Sequence, residues 1–384
     1  MKSKPLVPIL PPLYAAWIED ILAEPLPHES QSDCDNCPMC TESNSPTKID
    51  VLFRPSTKCC TYIPKLPNFS IGRILNDTDS AIQTGKSTIR SRIHSRRSVT
   101  PLGIGRSKEQ SDAYVALTKA KEFGSNEEYS CPHQLRDQKG LCGIWKHRNS
   151  TCATWFCKHD RGQIGRDFWD SLQTLLADIE RILSCWCAIE LDIGDDALSL
   201  LFPGTKKKDW KEIENRVDKL ALTPVPEAIY RQAWGSFMGR EQDFYIECGK
   251  LINDLSWSDI LEISGPELKI ATRRLITAQQ VLKSKELPEY VELGKYTAVN
   301  PTPNTIRITG YSPYCPYDFP IEISTGLMMM GLGMKGPQKL QDVIAKIQGM
   351  SPINIDTELQ WGLIECGVLI PTRDVPSKQN GCKS

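Results

Sequence analysis

The chain has 384 residues, 40% of them hydrophobic and 24% charged, with a formal net charge of −1. That balance is ordinary for a globular protein and gives no overall electrostatic pull toward nucleic acid or anionic membrane. No run of about 20 apolar residues is present, so a membrane span is not expected.

The first segment, Met1 to Pro5, carries two lysines, but Pro8, Pro11 and Pro12 interrupt the next stretch, and Glu19, Asp20 and Glu24 come soon after. An apolar signal core is missing, and a cytoplasmic protein is expected. Leu13, Tyr14, Trp17, Ile18, Ile21 and Leu22 recur at helical spacing between Pro12 and Pro25, predicting a short packing helix.

Residues 76–107 are polar and basic. Lys86, Arg90, Arg92, Arg96 and Arg97 lie close together without interleaved aromatics, which reads as a solvated loop rather than a nucleic-acid surface. Thr84-Gly85-Lys86-Ser87-Thr88 imitates the end of a phosphate loop, but Ser80 stands where that motif needs glycine. Ser107 is placed to cap a helix through Tyr114, Leu117 and Ala120, with Gly124 as a plausible end.

Phe168, Leu172, Leu175, Leu176, Ile179, Ile182, Leu183 and Trp186 predict a strong helix from Ile164 to about Glu190. Further helices are expected near 208–222, 226–254 and 265–284. In the last 90 or so residues, Thr305–Thr309 alternates as a strand, helices are expected at Pro337–Ile347 and Asp356–Cys366, and Val368–Pro371 reads as a short strand. The expected fold class is α+β, mainly helical. It comprises a cysteine-rich unit over 1–162, a helical unit over 163–295 and a small α+β region, winged-helix-like or similar, over 296–384.

Cysteine placement is the strongest functional signal. Nine of the 15 cysteines fall between Cys34 and Cys157. In a reducing compartment clustered thiols point to metal or redox chemistry rather than disulfides. Cys34, Cys37 and Cys40 stand at two-residue gaps, so one loop can present three sulfurs to a common centre; iron–sulfur clusters and zinc both use such spacing. Cys59-Cys60 is vicinal, and two adjacent residues seldom ligate one ion comfortably. Cys131-Pro132-His133, Cys142, Cys152 and Cys157 come later in the chain, so nine thiols suffice for two four-sulfur sites with one left over. Cys34, Cys37, Cys40, Cys59, Cys142, Cys152 and Cys157 are the leading ligand candidates, with Cys60 and Cys131 next. His133, His147 and His159 are expected to support sulfur rather than ligate. Cys185-Trp186-Cys187 lies in the predicted long helix, where residues two apart face away from each other.

Cys34-x2-Cys37-x2-Cys40, the Cys59-Cys60 pair, and Gly140-x-Cys142-x-Ile144-Trp145-x2-Arg148-x3-Cys152-x4-Cys157 resemble the YkgJ-like zinc- or iron-chelating domain family. The resemblance covers roughly residues 34–160 and implies metal binding, in proteins often described as iron–sulfur oxidoreductases. It implies no substrate. The expectation is an iron–sulfur protein, with a 4Fe-4S cluster or another iron site, working in electron transfer or redox chemistry with an unidentified redox partner. The alternative is structural zinc in an interaction or regulatory module. Whether the chain is an enzyme is left open.

Overall fold

The computed structural model describes residues 10–29, 37, 39–40, 53–120, 122–135, 141–157, 159–202, 225–294, 297–299, 305–309, 321–324, 334, 336–350 and 354–372. Cys34 and the helix expected near 208–222 lie outside them. The class is α+β and mainly helical, with the strands in small sheets.

Helix α1 (Pro12–Leu22) starts on proline and buries Tyr14, Trp17, Ile18 and Leu22. Strand β1 (Leu66–Pro67) leads into α2 (Asn68–Asn76), and α3 (Gln83–His94) comes next. The basic stretch expected as a solvated loop is therefore largely helix. Three isoleucines explain the difference: Ile82, Ile89 and Ile93 face the core, and each buried side chain stabilises by about 1.5–3 kcal/mol. Lys86 and Arg92 are carried inward with them. Gly85 is no phosphate loop; its backbone passes close to Ile144 and the carbonyl of Gly143, where a Cβ would collide. Strands β2 (Val99–Thr100) and β3 (Gly103–Ile104) complete an antiparallel sheet with β1 at its edge.

Ser107 caps α4 (Lys108–Lys119) through a capping box with Gln110, as the sequence suggests. A two-stranded hairpin, β4 (Gln134–Leu135) and β5 (Leu141–Cys142), precedes the one-turn α5 (Ser150–Thr154). The long helix α6 (Gly162–Glu190) buries Phe168, Trp169, Leu172, Leu175, Leu176, Ile179 and Leu183.

Beyond α7 (Asp195–Leu201), the span expected as one helix over 226–254 is two: α8 (Glu227–Trp234) and α9 (Glu241–Asn253). Gly235 and Gly239 take positive φ between them, a conformation that ends a helix readily. Helix α10 (Trp257–Ser264), absent from the sequence expectations, and α11 (Pro266–Lys283) complete the helical part. Gly72 of α2 and Gly249 of α9 let those helices touch through their backbones. One hydrophobic core runs from Leu10 to Leu275.

A second core joins Ile164 of α6 to the C-terminal elements. The C-terminal elements are β6 (Tyr290–Leu293), β7 (Thr297–Val299), β8 (Thr305–Thr309), β9 (Ile321–Ser324), β10 (Gln338–Lys339), α12 (Leu340–Met350), α13 (Thr357–Glu365) and β11 (Leu369–Thr372), of which β6, α12, α13 and β11 contribute to this core. Sheet order is β10-β6-β11 and β7-β8-β9, with Leu293 opposite Leu369 and Ile306 opposite Ile323. The expected strand at 305–309, both helices and the final strand are all present.

Candidate metal centre

The vicinal cysteines sit on a turn held from three sides. Within it, Thr57 and Lys58 donate their N–H groups to the Arg54 carbonyl at 3.1 and 2.8 Å, and Cys60 N–H to Thr57 O at 2.9 Å. Lys58 takes positive φ to close the turn. From the second side, Gly124 O accepts from Arg54 N–H at 2.9 Å and from the Thr57 hydroxyl, while Gly124 N–H donates to Thr61 Oγ1 at 2.8 Å. The Gln134 amide supplies the third side, donating to Ser56 O at 2.8 Å and Thr57 O at 3.1 Å.

The other cysteines are brought to this turn by separate elements. Cys40 bridges to Phe53, just before the turn, and donates its N–H to Cys37 O at 3.1 Å. The Cys131 N–H donates to Cys60 O at 2.5 Å. Gln134 N–H then returns to Cys131 O at 3.0 Å, and Gln134 pairs with Cys142 across the β4–β5 hairpin. Asn149 caps α5 by accepting the Cys152 N–H at 3.0 Å. Arg148 stacks on Trp145 with its carbon 3.4 Å from the ring centroid and donates to Cys152 O at 2.9 Å. The Trp145-x2-Arg148 spacing is thus a clamp that fixes where α5 presents Cys152. Cys157 is buried with Cys40 in an aromatic cluster of Phe53 and Phe123, with Cys37, Cys59, Tyr62, Tyr114 and Trp155 packed against it.

The sulfurs respond to one another. Cys40 donates a hydrogen bond to Cys37, which with nearby backbone N–H groups and Lys58 holds the Cys37 thiol down to about 7 despite burial. Cys40, the donor, is pushed up. Cys59 is raised by donating to Cys60, by burial, and by the charges of Cys60 and Cys37. Cys60 gains from that bond, but burial and the neighbouring Cys131, Cys142 and Cys152 push it up overall. Burial, then Cys142 and Cys152, raise Cys131; burial, then Cys142 and Cys59, raise Cys152. Seven of the nine sequence candidates are therefore electrostatic neighbours in one region, and Cys157 packs beside them.

Among the described residues, no three His, Cys, Asp or Glu side chains are arranged as they stand to hold a metal ion. The surroundings nonetheless fit an anionic, metal-bound form of these thiols. Buried cations gather at them. Lys58, 5% exposed, lowers Cys37 and Cys40. Arg148 lowers Cys152, and Arg92, 8% exposed, lowers Cys131. Arg92 donates to the carbonyls of Gly105 and Arg97, yet among the described residues it has no carboxylate partner and one guanidinium nitrogen lacks any acceptor. A buried ion costs several kcal/mol unless opposite charge compensates it. Neutral thiols cannot supply that charge; metal-bound thiolates can.

His133 points the same way. It is fully buried, two residues from Cys131, and neither ring nitrogen has a hydrogen-bond partner among the described residues. Each such orphaned group costs about 1–3 kcal/mol. Burial, with Arg92 nearby, lowers its pKa to about 3, so the ring is neutral. His147 instead bonds Asp77 at 2.8 Å.

Sequence reasoning missed Glu180. This buried α6 carboxyl accepts from Ser150 N–H, from the Ser150 hydroxyl at 2.8 Å and from Tyr14 at 2.6 Å, tying α5, and so Cys152, to the core. Its position in a helix of apolar period gives no local sign of this task.

The fold defines a mainly helical α+β protein in which cysteines from separate N-terminal segments lie near one another. No protein-family model, no curated protein and no solved structure matches the chain. No helix among the described residues is long and apolar enough to cross a membrane.

Proposed function

We propose that this protein binds a metal through the thiolates of its N-terminal region and acts in electron transfer or redox chemistry as an iron–sulfur or iron protein. The observation that carries the reading is the convergence of thiols from four separate segments on ground also occupied by the buried cations Lys58, Arg92 and Arg148. Cys37, Cys40, Cys59, Cys60, Cys131, Cys142, Cys152 and Cys157 would hold the metal, and a bound cluster would supply a reversible one-electron step. The cations offset thiolate charge, and the Phe53–Phe123–Trp155 cluster excludes water from one side. Such a role fits a reducing, cytoplasmic setting and the resemblance to the YkgJ-like domains.

Structural zinc in an interaction module is the rival reading. Metal analysis and a visible spectrum of anaerobically purified protein separate the two. Iron with broad visible absorption supports the redox reading; a colourless protein with stoichiometric zinc replaces it by the rival. A chain that takes up neither metal abandons both. The Cys37→Ser variant is expected to lose metal, since ligand loss and site stability are coupled.

A further inference from the structure

Among the described residues, thiols are hydrogen-bonded in pairs: Cys40 to Cys37, Cys59 to Cys60 and Cys248 to Cys187. Such a bond already brings two sulfurs together, so geometry and access decide which pair is able to close and open a disulfide. Cys59 and Cys60 are adjacent, and consecutive Cα atoms lie about 3.8 Å apart, short of the roughly 4.4–6.8 Å that a disulfide spans without strain. Cys187 and Cys248 are fully buried between α6 and α9, sealed from any incoming reagent. Cys37 and Cys40 meet neither objection. The Cys40 N–H donates to Cys37 O at 3.1 Å, which closes a turn whose end Cα atoms lie within about 7 Å of each other. Cys37 is partly exposed, whereas Cys40 is buried in the aromatic cluster with Phe53.

We propose that Cys37 and Cys40 form a redox-active dithiol that reduces an incoming disulfide, with Cys37 as the attacking sulfur and Cys40 as the resolving one. The proposal concerns the metal-free chain and goes beyond the metal-binding reading, because these two sulfurs serve a metal or a disulfide but not both at once.

The surroundings assign the two roles. An attacking sulfur must be reachable from outside, and of the two only Cys37 is more than marginally exposed. Hydrogen bonds from the Cys40 thiol and from the N–H groups of Met39 and Cys40, with Lys58 nearby, favour a thiolate at that sulfur. A resolving sulfur must wait beside the first, sheltered from other partners, and Cys40 does so from inside the aromatic cluster. The exchange then balances. The Cys37 thiolate attacks one sulfur of the incoming disulfide, that S–S bond breaks, and the other sulfur leaves and takes up the proton Cys37 had released. Cys40 next attacks the Cys37 sulfur, displaces the second sulfur and passes its own proton to it. Two electrons go from the pair to the incoming disulfide, which departs as two thiols, and the chain keeps a Cys37–Cys40 disulfide.

The test exposes reduced full-length protein to glutathione disulfide, with and without a chelator, then alkylates the free thiols and maps the bridges by peptide mass spectrometry. In wild type a Cys37–Cys40 bridge is expected, with loss of both free thiols and no lasting glutathione adduct. In Cys40→Ser the adduct should accumulate on Cys37, and in Cys37→Ser the Cys40 thiol should stay unmodified. A merely structural pair would not give that asymmetry. The proposal is overturned by chelated wild type in which both thiols stay free, by a bridge from Cys37 to another cysteine such as Cys34, or by an adduct on Cys40 equal to that on Cys37. Should a variant fail to fold by circular dichroism, the wild-type bridge map decides alone. Metal analysis of the same samples keeps the two readings apart. Protein that binds metal yet forms no bridge after chelation sinks the dithiol alone, and protein that forms the bridge but takes up neither iron nor zinc sinks the metal reading alone.

Discussion

Glu180 grips Ser150 with both carboxyl oxygens, one on the backbone N–H at 2.5 Å and the other on the hydroxyl at 2.8 Å. The helix that presents Cys152 is therefore anchored to the long core helix by one buried acid, which also accepts from Tyr14.

That acid has a pH signature. Burial raises Glu180 from 4.5 to about 7, against the pull of its hydrogen bonds. Between those values the folded state keeps a proton that the unfolded chain has released, so this contribution is full below about pH 4.5 and is lost as pH rises through 7. Glu180→Gln, which mimics the protonated acid, removes the dependence. Urea unfolding across this range should show wild type losing stability relative to the variant, by about 3 kcal/mol at most. Parallel curves would mean that Glu180 does not titrate there.

Arg92 is a buried guanidinium beside Cys131, and its charge should favour metal thiolates there. Arg92→Met is expected to weaken metal retention about tenfold, or about 1.4 kcal/mol, with Arg92→Lys intermediate. Timed chelator challenge, read by metal analysis, measures this. Equal retention in all three proteins would remove Arg92 from the site.

The sequence suggests Gly124 as the end of α4, but that helix stops at Lys119, and Gly124 serves the cysteine turn instead. At φ +80° its backbone lies against the Phe53 ring and pins the Cys59–Cys60 turn. Gly124→Ala adds a methyl into that ring and strains the backbone, a cost of about 1–3 kcal/mol. The expected result is a lower melting temperature together with lower metal content. An unchanged melting temperature would contradict the close approach.

Gly72 offers a contrast away from the cysteines. An added Cβ would overlap the carbonyl of Tyr245 in α9, and backbone cannot yield as a flexible side chain can. Gly72→Ala should destabilise the helical core by about 3 kcal/mol or more. Thermal unfolding followed by circular dichroism tests it, and a variant as stable as wild type would mean that α2 and α9 pack less closely.

Much of the helical framework was readable because its signals are local. The apolar period of α6, the Ser107 cap of α4 and the alternation at Thr305–Thr309 act within a few residues. Reading failed where a distant partner decides the outcome. The basic stretch became α3 because three isoleucines found the core, and the 226–254 helix broke where Gly235 meets the carbonyl of Ile193.

The sequence alone determined which residues can donate sulfur and which segments curl into helices, since both depend on residue type and short-range spacing. Only the tertiary structure decided that Cys131 hydrogen-bonds Cys60, that Arg92 lies buried beside them and that Glu180 anchors α5. Those relations join residues far apart in the chain, and nothing in local spacing encodes a contact that forms only when separate elements share one core.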